Sequence, residues 1–321
     1  MLSRLSNISD AVNGPILFIS AVSLFMLVGI TGVMLYFTFK YHRRRSPVGE
    51  DIHGHHMLEV VWTVIPTILA FAFFWYGWEG YKIIKTPPKD AMRIHVTGRM
   101  WSWLMEYQNG VQSGELYVPV NVPVRCDLSS QDVIHSFYLP AFKVKQDAVP
   151  GVPNLFLWFI AKQVGEYDIF CAEYCGTNHS HMLSKVHVLT QADFDAWLKT
   201  EGDKVAELKK LTASAESGGG GENLHILGEQ LAKSKGCVAC HSADGSKLVG
   251  PSYKGLYGSK QIVVTAGAEH EVTVDDAYIK KSMLEPLTDV VKGYQPLMPS
   301  QQGLVSDGEI KALIAYIKTL Q

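Results

Sequence analysis

The segment Cys171-Ala-Glu-Tyr-Cys175-Gly-Thr-Asn-His179-Ser-His181-Met182 brings two thiols, two imidazoles and a thioether into one turn-rich stretch. Thiolate and thioether ligands favour copper and iron–sulfur chemistry, imidazole suits copper and zinc, and a methionine sulfur beside them points to copper electron transfer. Two cysteines, where a blue-copper site has one, could bridge two metal atoms. A structural zinc ion or a disulfide is the plainer reading, but neither explains a methionine three residues beyond a histidine. On chemistry alone His181, beside Met182, competes with His179.

A second stretch, Cys237-Val-Ala-Cys240-His241, has the spacing of a c-type haem attachment site. There two thiols add across the porphyrin vinyl groups and the adjacent histidine becomes one axial ligand. A thioredoxin-like pair is the alternative, but His241 follows directly and no βαβ pattern surrounds it. The other axial position needs a soft ligand, and Met298, in the proline-flanked Gln295-Pro-Leu-Met298-Pro, suits it better than Met283 on a predicted helix.

The chain must hold these groups in place. Uncharged residues run from Ile16 to Phe39, and a second apolar stretch runs from Leu58 to about Tyr81, with Glu59 and Glu79 near its ends. Each is long enough to span a bilayer as a helix. Lys40, Arg43, Arg44 and Arg45 lie between them, so the positive-inside rule puts that loop in the cytoplasm and everything after about residue 82 on the opposite face. A cleaved signal is disfavoured by the long apolar run and the lack of a small-residue cleavage site.

After Thr86-Pro-Pro the pattern changes to alternation, as in Met92, Ile94, Val96 and in Leu116, Val118, Val120, Val122, Val124. With strands expected at 154–161 and 167–171, residues 91–190 read as a compact β sandwich or barrel. Thr190-Gln-Ala-Asp193 looks like the start of a helix, which then gives way to a Gly/Ser run ending at Gly221. The remainder reads as helical: Leu224, Leu227 and Leu231 share a face, Thr273-Val-Asp-Asp276 begins a helix, and Ser306-Asp-Gly-Glu309 is a capping box. That small domain has a modest core, which a covalently held cofactor would help to complete.

The 321 residues allow two or three domains, and a net charge of −2 with no basic patch outside the cytoplasmic loop argues against nucleic acid as a partner. Four of the five cysteines fall in two tight clusters and read as ligands or attachment points; Cys126 is left over as a buried small hydrophobe.

Over nearly its whole length the chain resembles subunit II of the haem-copper cytochrome c oxidases, in the bacterial form with a fused cytochrome c domain. The likeness rests on the hairpin, Glu59-Val-Val-Trp-Thr-Val-Ile-Pro66, Trp101-Ser-Trp103, Asp132-Val-Ile-His135-Ser-Phe, Asp147-Ala-Val-Pro-Gly151 and the Cys171–Met182 loop. It implies a multidomain membrane protein with a two-helix transmembrane hairpin (spans about 16–39 and 58–81, within 1–85). An all-β cupredoxin-like CuA domain with a terminal helix (86–200), a flexible linker (201–221) and an all-α class I cytochrome c domain (222–321) follow.

The resemblance also implies a ligand set. Cys171 and Cys175 bridge two coppers, His135 and Met182 complete one, and His179 with the backbone carbonyl of Glu173 completes the other. The Glu173 side chain is expected to bind magnesium shared with subunit I, a role that suits a carboxylate. Trp101 matches the exposed tryptophan through which donor electrons arrive, although a tethered haem could shift the entry point and leave it an aromatic packed on the sandwich. Glu59, ionisable at the membrane edge, matches a glutamate at the mouth of a proton channel. His53, His55 and His56 are expected to be solvated loop residues. Val152 and Met100 depart from many relatives, which have a basic residue and a glutamine there, so docking details differ while the copper ligands do not.

The expected function is electron input to a respiratory oxidase of the bacterial plasma membrane. Haem c accepts electrons from a cytochrome c or a quinol–cytochrome c reductase and passes them to CuA. Subunit I, with subunit III beside it, reduces oxygen, and no oxygen chemistry occurs on this chain. The rival readings are the corresponding subunit of a CuA-bearing nitric oxide reductase and a membrane-tethered copper carrier, the latter opposed by the haem motif.

Overall fold

The computed structural model describes residues 4–49, 51, 53–216 and 224–321. Helices α1 (Asn7–Lys40) and α2 (His56–Lys85) form the N-terminal hairpin. Both extend beyond the apolar runs because polar residues cap and flank them: the Ser6 hydroxyl accepts from the Ser9 amide, and Lys82 and Lys85 close α2. Apart from Phe18 against Phe73 and Tyr76, large apolar side chains face outward, with Phe25 75 % and Phe71 70 % exposed. Two long helices bearing such a surface are built for lipid rather than water.

The hairpin is seated on the domain that follows. Ser6 pairs with Ala161 as an isolated bridge, Asn7 Oδ1 accepts the Ile160 amide, and the Trp158 indole donates to the Ile83 carbonyl at 3.0 Å.

That domain is a sandwich of ten strands: β1 (Met92–Arg99), β2 (Ser102–Tyr107), β3 (Gln112–Ser113), β4 (Leu116–Pro119), β5 (Pro123–Ser130), β6 (His135–Leu139), β7 (Val144–Ala148), β8 (Leu155–Ile160), β9 (Gly165–Cys171) and β10 (Leu183–Leu189). One sheet runs β3-β2-β1-β5-β8 and the other β4-β10-β9-β6-β7. Alternate residues such as Ile94 and Val96 on β1 and Val186 and Val188 on β10 point inward and are buried, so period-two patterning builds the core.

Helix α3 (Gln191–Glu216) begins at the expected cap, with Thr190 Oγ1 accepting the Asp193 amide. Residues 201–216, expected to belong to the linker, are helical instead. Leu208 and Leu211 pack on the C-terminal core, and that contact carries the helix past the point where sequence composition turns flexible. The glycine run after it, and the boundary near 222, lie outside the described residues.

The last domain is built on α4 (Leu224–Ser234) crossing α6 (Asp307–Thr319), with α5 (Asp276–Leu284) beside them. The capping box at Ser306 and Glu309 is present. The cap of α5 is Asp275, because Thr273 is taken up by a strand. To the expected helices the structure adds a three-stranded antiparallel sheet, β11 (Lys260–Thr265), β12 (Ala268–Thr273) and β13 (Val290–Val291). It escapes a search for buried faces because β12 is exposed almost throughout.

Candidate metal centres

The first centre sits at one end of the sandwich, where three segments converge. Cys171 ends β9, His135 opens β6, and the loop after Cys171 folds back through Cys175 and a short 3-10 turn, His179–His181, to Met182. Cys171 Sγ lies 3.8 Å from Cys175 Sγ, 3.9 Å from His135 Nδ1 and 3.3 Å from the Glu173 carbonyl oxygen. Cys175 Sγ lies 3.5 Å from His179 Nδ1 and 3.8 Å from Met182 Sδ. Five side chains and one carbonyl chosen from sequence therefore meet around a sulfur pair, without a carboxylate in the cluster.

His135 and Met182 are fully buried, and Cys171 and Cys175 nearly so. His181 stays outside on the surface, its Nδ1 paired with Ser180 Oγ, so geometry separates it from His179. The Glu173 side chain is exposed, which leaves its carboxylate available to a partner.

The electrostatics are those of a site that expects positive charge. Burial pushes the Cys171 thiol up, but hydrogen bonds to His135 and to the backbone at Glu173 and Ser136 bring it down to about 6. Cys175 is pushed up to about 12 by burial and by the neighbouring Cys171 thiolate, so the pair shares one negative charge. For His135 burial works against protonation, yet Asp132 and Cys171 raise it to about 9. Soft donors at these separations and this polarity fit a dinuclear copper cluster. They split evenly, with His135 and the Glu173 carbonyl beside one sulfur and His179 and Met182 beside the other.

Asp132 is the functional residue that sequence reading passed over, although it stands three positions before His135. Its Oδ1 receives His135 Nε2 at 2.8 Å and its Oδ2 receives the Met100 amide at 2.7 Å. It thereby fixes the tautomer that leaves Nδ1 facing the sulfurs, as outer-shell carboxylates do for metal-bound imidazoles.

Trp101 is packed on the sandwich, the second of its two expected environments. It is only 7 % exposed, not an open surface aromatic, and its indole donates to the Cys175 carbonyl at 3.1 Å. The sandwich core here is joined by Cys240, Val249 and Leu297 of the C-terminal domain, which packs against this end of the sandwich.

The second centre is a cavity between the two domains, with about 1430 Å³ of empty space counting the part open to solvent. Cys237, Cys240, His241, Met283 and Met298 line it from one side and Arg99, Met100 and Ser102 from the other. His241 is held on all but one edge. Its Nδ1 pairs with the Pro251 carbonyl at 2.7 Å, and its ring stacks on Tyr253 at 5.0 Å. Gly250 lies so close behind it that an added Cβ would stand 2.5 Å from Cε1.

Burial lowers the His241 pKa, so the imidazole is neutral, with Nδ1–H spent on Pro251 and Nε2 left as a donor to a metal. Both cysteines are free thiols. An apolar slot with a paired thiol anchor and a fixed imidazole fits a covalently attached haem. Met283 and Met298 both reach the cavity, and Met298 sits on a loop without regular structure.

Glu59 lies in the first turn of α2, 3.5 Å from His56 Nδ1 and far along the hairpin from both centres. His53, His55 and His56 are exposed.

Comparisons with known proteins cover all three parts of the chain. The model described as the periplasmic domain of cytochrome c oxidase subunit II matches residues 111–189, and that of its transmembrane domain matches residues 8–77. A cytochrome c model matches residues 226–321. Cytochrome c oxidase subunit 2 of Bacillus subtilis (strain 168) is 30 % identical over 309 residues, covering 87 % of this chain and 80 % of that protein. The subunit of the same name from Alkalihalophilus pseudofirmus is 29 % identical over 316 residues, covering 94 % and 86 %. Among solved structures, the periplasmic domain of subunit II of cytochrome oxidase from Bradyrhizobium japonicum shares 34 % identity, covers 37 % of this chain and 99 % of that one, and superposes with a TM-score of 0.35.

Proposed function

The chain belongs to the cytochrome c oxidase subunit II family, and we propose that it receives electrons on its own haem c and passes them through CuA to subunit I. The observation that carries this reading is the meeting of both donor clusters at the Arg99–Ser102 turn, which lines the haem cavity and, through Trp101, hydrogen-bonds Cys175. Haem and the copper pair, when bound, each take up and release a single electron; all else is the work of the polypeptide.

Cys237 and Cys240 would tether the haem, and His241 and Met298 would be its iron ligands. A histidine and methionine pair would raise its potential, which suits a centre fed by a soluble cytochrome. Cys171 and Cys175 would hold both coppers, with His135 and Met182, and His179 and the Glu173 carbonyl, as the further ligands. Rigid strands on both sides of the cluster keep ligand movement on reduction small. The Glu173 carboxylate, pointing outward, binds magnesium at the contact with subunit I.

By charge asymmetry the loop between α1 and α2 faces the cytoplasm and both cofactor domains stand on the periplasmic side of the plasma membrane. Glu59 then marks the cytoplasmic mouth of a proton path. A cytochrome c or a quinol–cytochrome c reductase is the donor, subunit III is a further partner, and the glycine run after Glu216 divides the two cofactor domains.

The complex purified from membranes with its partner subunits tests this reading. It is expected to carry covalent haem and to oxidise reduced cytochrome c with uptake of oxygen. A complex that binds both metals but leaves reduced cytochrome c untouched would overturn it.

A further inference from the structure

Arg99 ends β1 and leaves the sandwich. Its Nε donates to Ser102 Oγ at 3.3 Å, and its guanidinium lies against Gly236, where an added Cβ would run into Nη2. Gly236 has φ 71°, so only a residue without a side chain fits both the left-handed turn and the guanidinium. The next residue is Cys237, and the cavity wall on the sandwich side is Arg99, Met100 and Ser102. Burial lowers the Arg99 pKa, opposed by Cys237, Cys240 and Asp132, so a half-buried cation stands between the haem-attachment loop and the carboxylate that orients His135.

The neighbours of Arg99 are tied to two residues of the copper cluster, His135 and Cys175. The Met100 amide donates to Asp132, whose other oxygen receives His135; the Trp101 indole donates to the Cys175 carbonyl. Cys240, Val249 and Leu297 of the cytochrome domain pack against the same sandwich core that contains the buried Trp101.

We propose that Arg99 is a positioning residue that clamps the Gly236–Cys240 loop onto the Arg99–Ser102 turn, so that the chain's own haem domain occupies the face through which copper receives electrons. The proposal rests on the haem assignment under Proposed function. With both cofactors bound, the clamp would serve transfer of one electron from the haem, oxidised by one, to the copper pair, reduced by one, with no bond or proton changing hands. An external donor must then deliver to the haem, because the copper face is covered.

The test uses the full chain in detergent, loaded with both cofactors, and the variants Arg99→Gln and Arg99→Lys. Two readouts are taken: amide hydrogen exchange over 236–241 and 99–102, and the haem-to-copper transfer rate after one electron is injected photochemically into the haem. Losing the guanidinium that bonds Ser102 and lies against Gly236 should raise exchange in Arg99→Gln roughly tenfold and slow transfer by a similar factor, with the copper and haem spectra unchanged. Arg99→Lys, which keeps the charge but not the planar fork, should fall between.

Wild-type exchange and rate in Arg99→Gln would overturn the clamp. If that variant loses copper, Arg99→Lys decides alone: raised exchange supports the clamp and wild-type exchange overturns it. Absence of covalent haem from the wild-type chain would instead sink the haem assignment, and the exchange measurement would still decide whether Arg99 holds the loop.

Discussion

The two centres are built on opposite plans. At the copper site every donor is already within 4 Å of a sulfur, His135, Cys171, Cys175 and Met182 are buried, and the cluster is supported by strands of a continuous hydrophobic core. At the haem site the donors surround an open slot, His241 is tied to the Pro251 carbonyl, and Met298 sits on a loop. A sandwich whose two sheets bury each other can fold first and present ligands to a small ion. A domain with a small core and a large cavity leaves part of its interior to be supplied by its cofactor.

The comparison breaks most visibly if the haem is withheld. In Cys237→Ala/Cys240→Ala the cytochrome domain should lose its separate melting transition, since a tightly bound cofactor contributes about 4 kcal/mol or more. The copper signal should persist. Calorimetry with electron paramagnetic resonance checks both, and an unshifted cytochrome transition would show that the cavity does not depend on haem.

The converse change, Cys171→Ser, should abolish the dinuclear copper signal while the circular dichroism of the sandwich stays native. A surviving dinuclear spectrum would remove Cys171 from the bridge.

Acidity sharpens the same contrast. Between about pH 6 and 9 the metal-free copper site holds protons on Cys175 (about 12) and His135 (about 9), while Cys171 (about 6) is already ionised. Copper must displace both protons, so its affinity should rise with pH, about a hundredfold per unit. Below pH 6 the Cys171 proton is added and the dependence steepens. Competition titrations that are flat with pH would contradict this charge pattern.

Asp132→Asn gives the smallest effect. Losing the carboxylate that orients His135 should weaken copper binding about 10- to 100-fold without disturbing haem attachment. Unchanged copper affinity would mean that β6 alone fixes the imidazole.

Contiguity decided what the sequence revealed. Cys171, Cys175, His179 and Met182 lie in one loop and Cys237, Cys240 and His241 in one turn, so ligand spacing is visible in the letters. His135 lies 36 residues before Cys171 and carries no periodic mark, so only family resemblance pointed to it. The sandwich was legible from its alternation, and the two spans from their length and apolarity.

What stayed hidden depended on contacts between domains. The placement of Arg99 in the haem cavity and the persistence of α3 through Glu216 both follow from the cytochrome domain packing on its neighbours. Tertiary contact of this kind overrides local composition.

The most direct test of the relay is a rapid-mixing experiment on the full chain carrying both cofactors, given less than one equivalent of reduced cytochrome c. The account predicts that haem absorbance of the reduced form rises first and then decays at the rate at which the copper band bleaches. Copper bleaching before the haem, or haem remaining reduced beside oxidised copper, would contradict it.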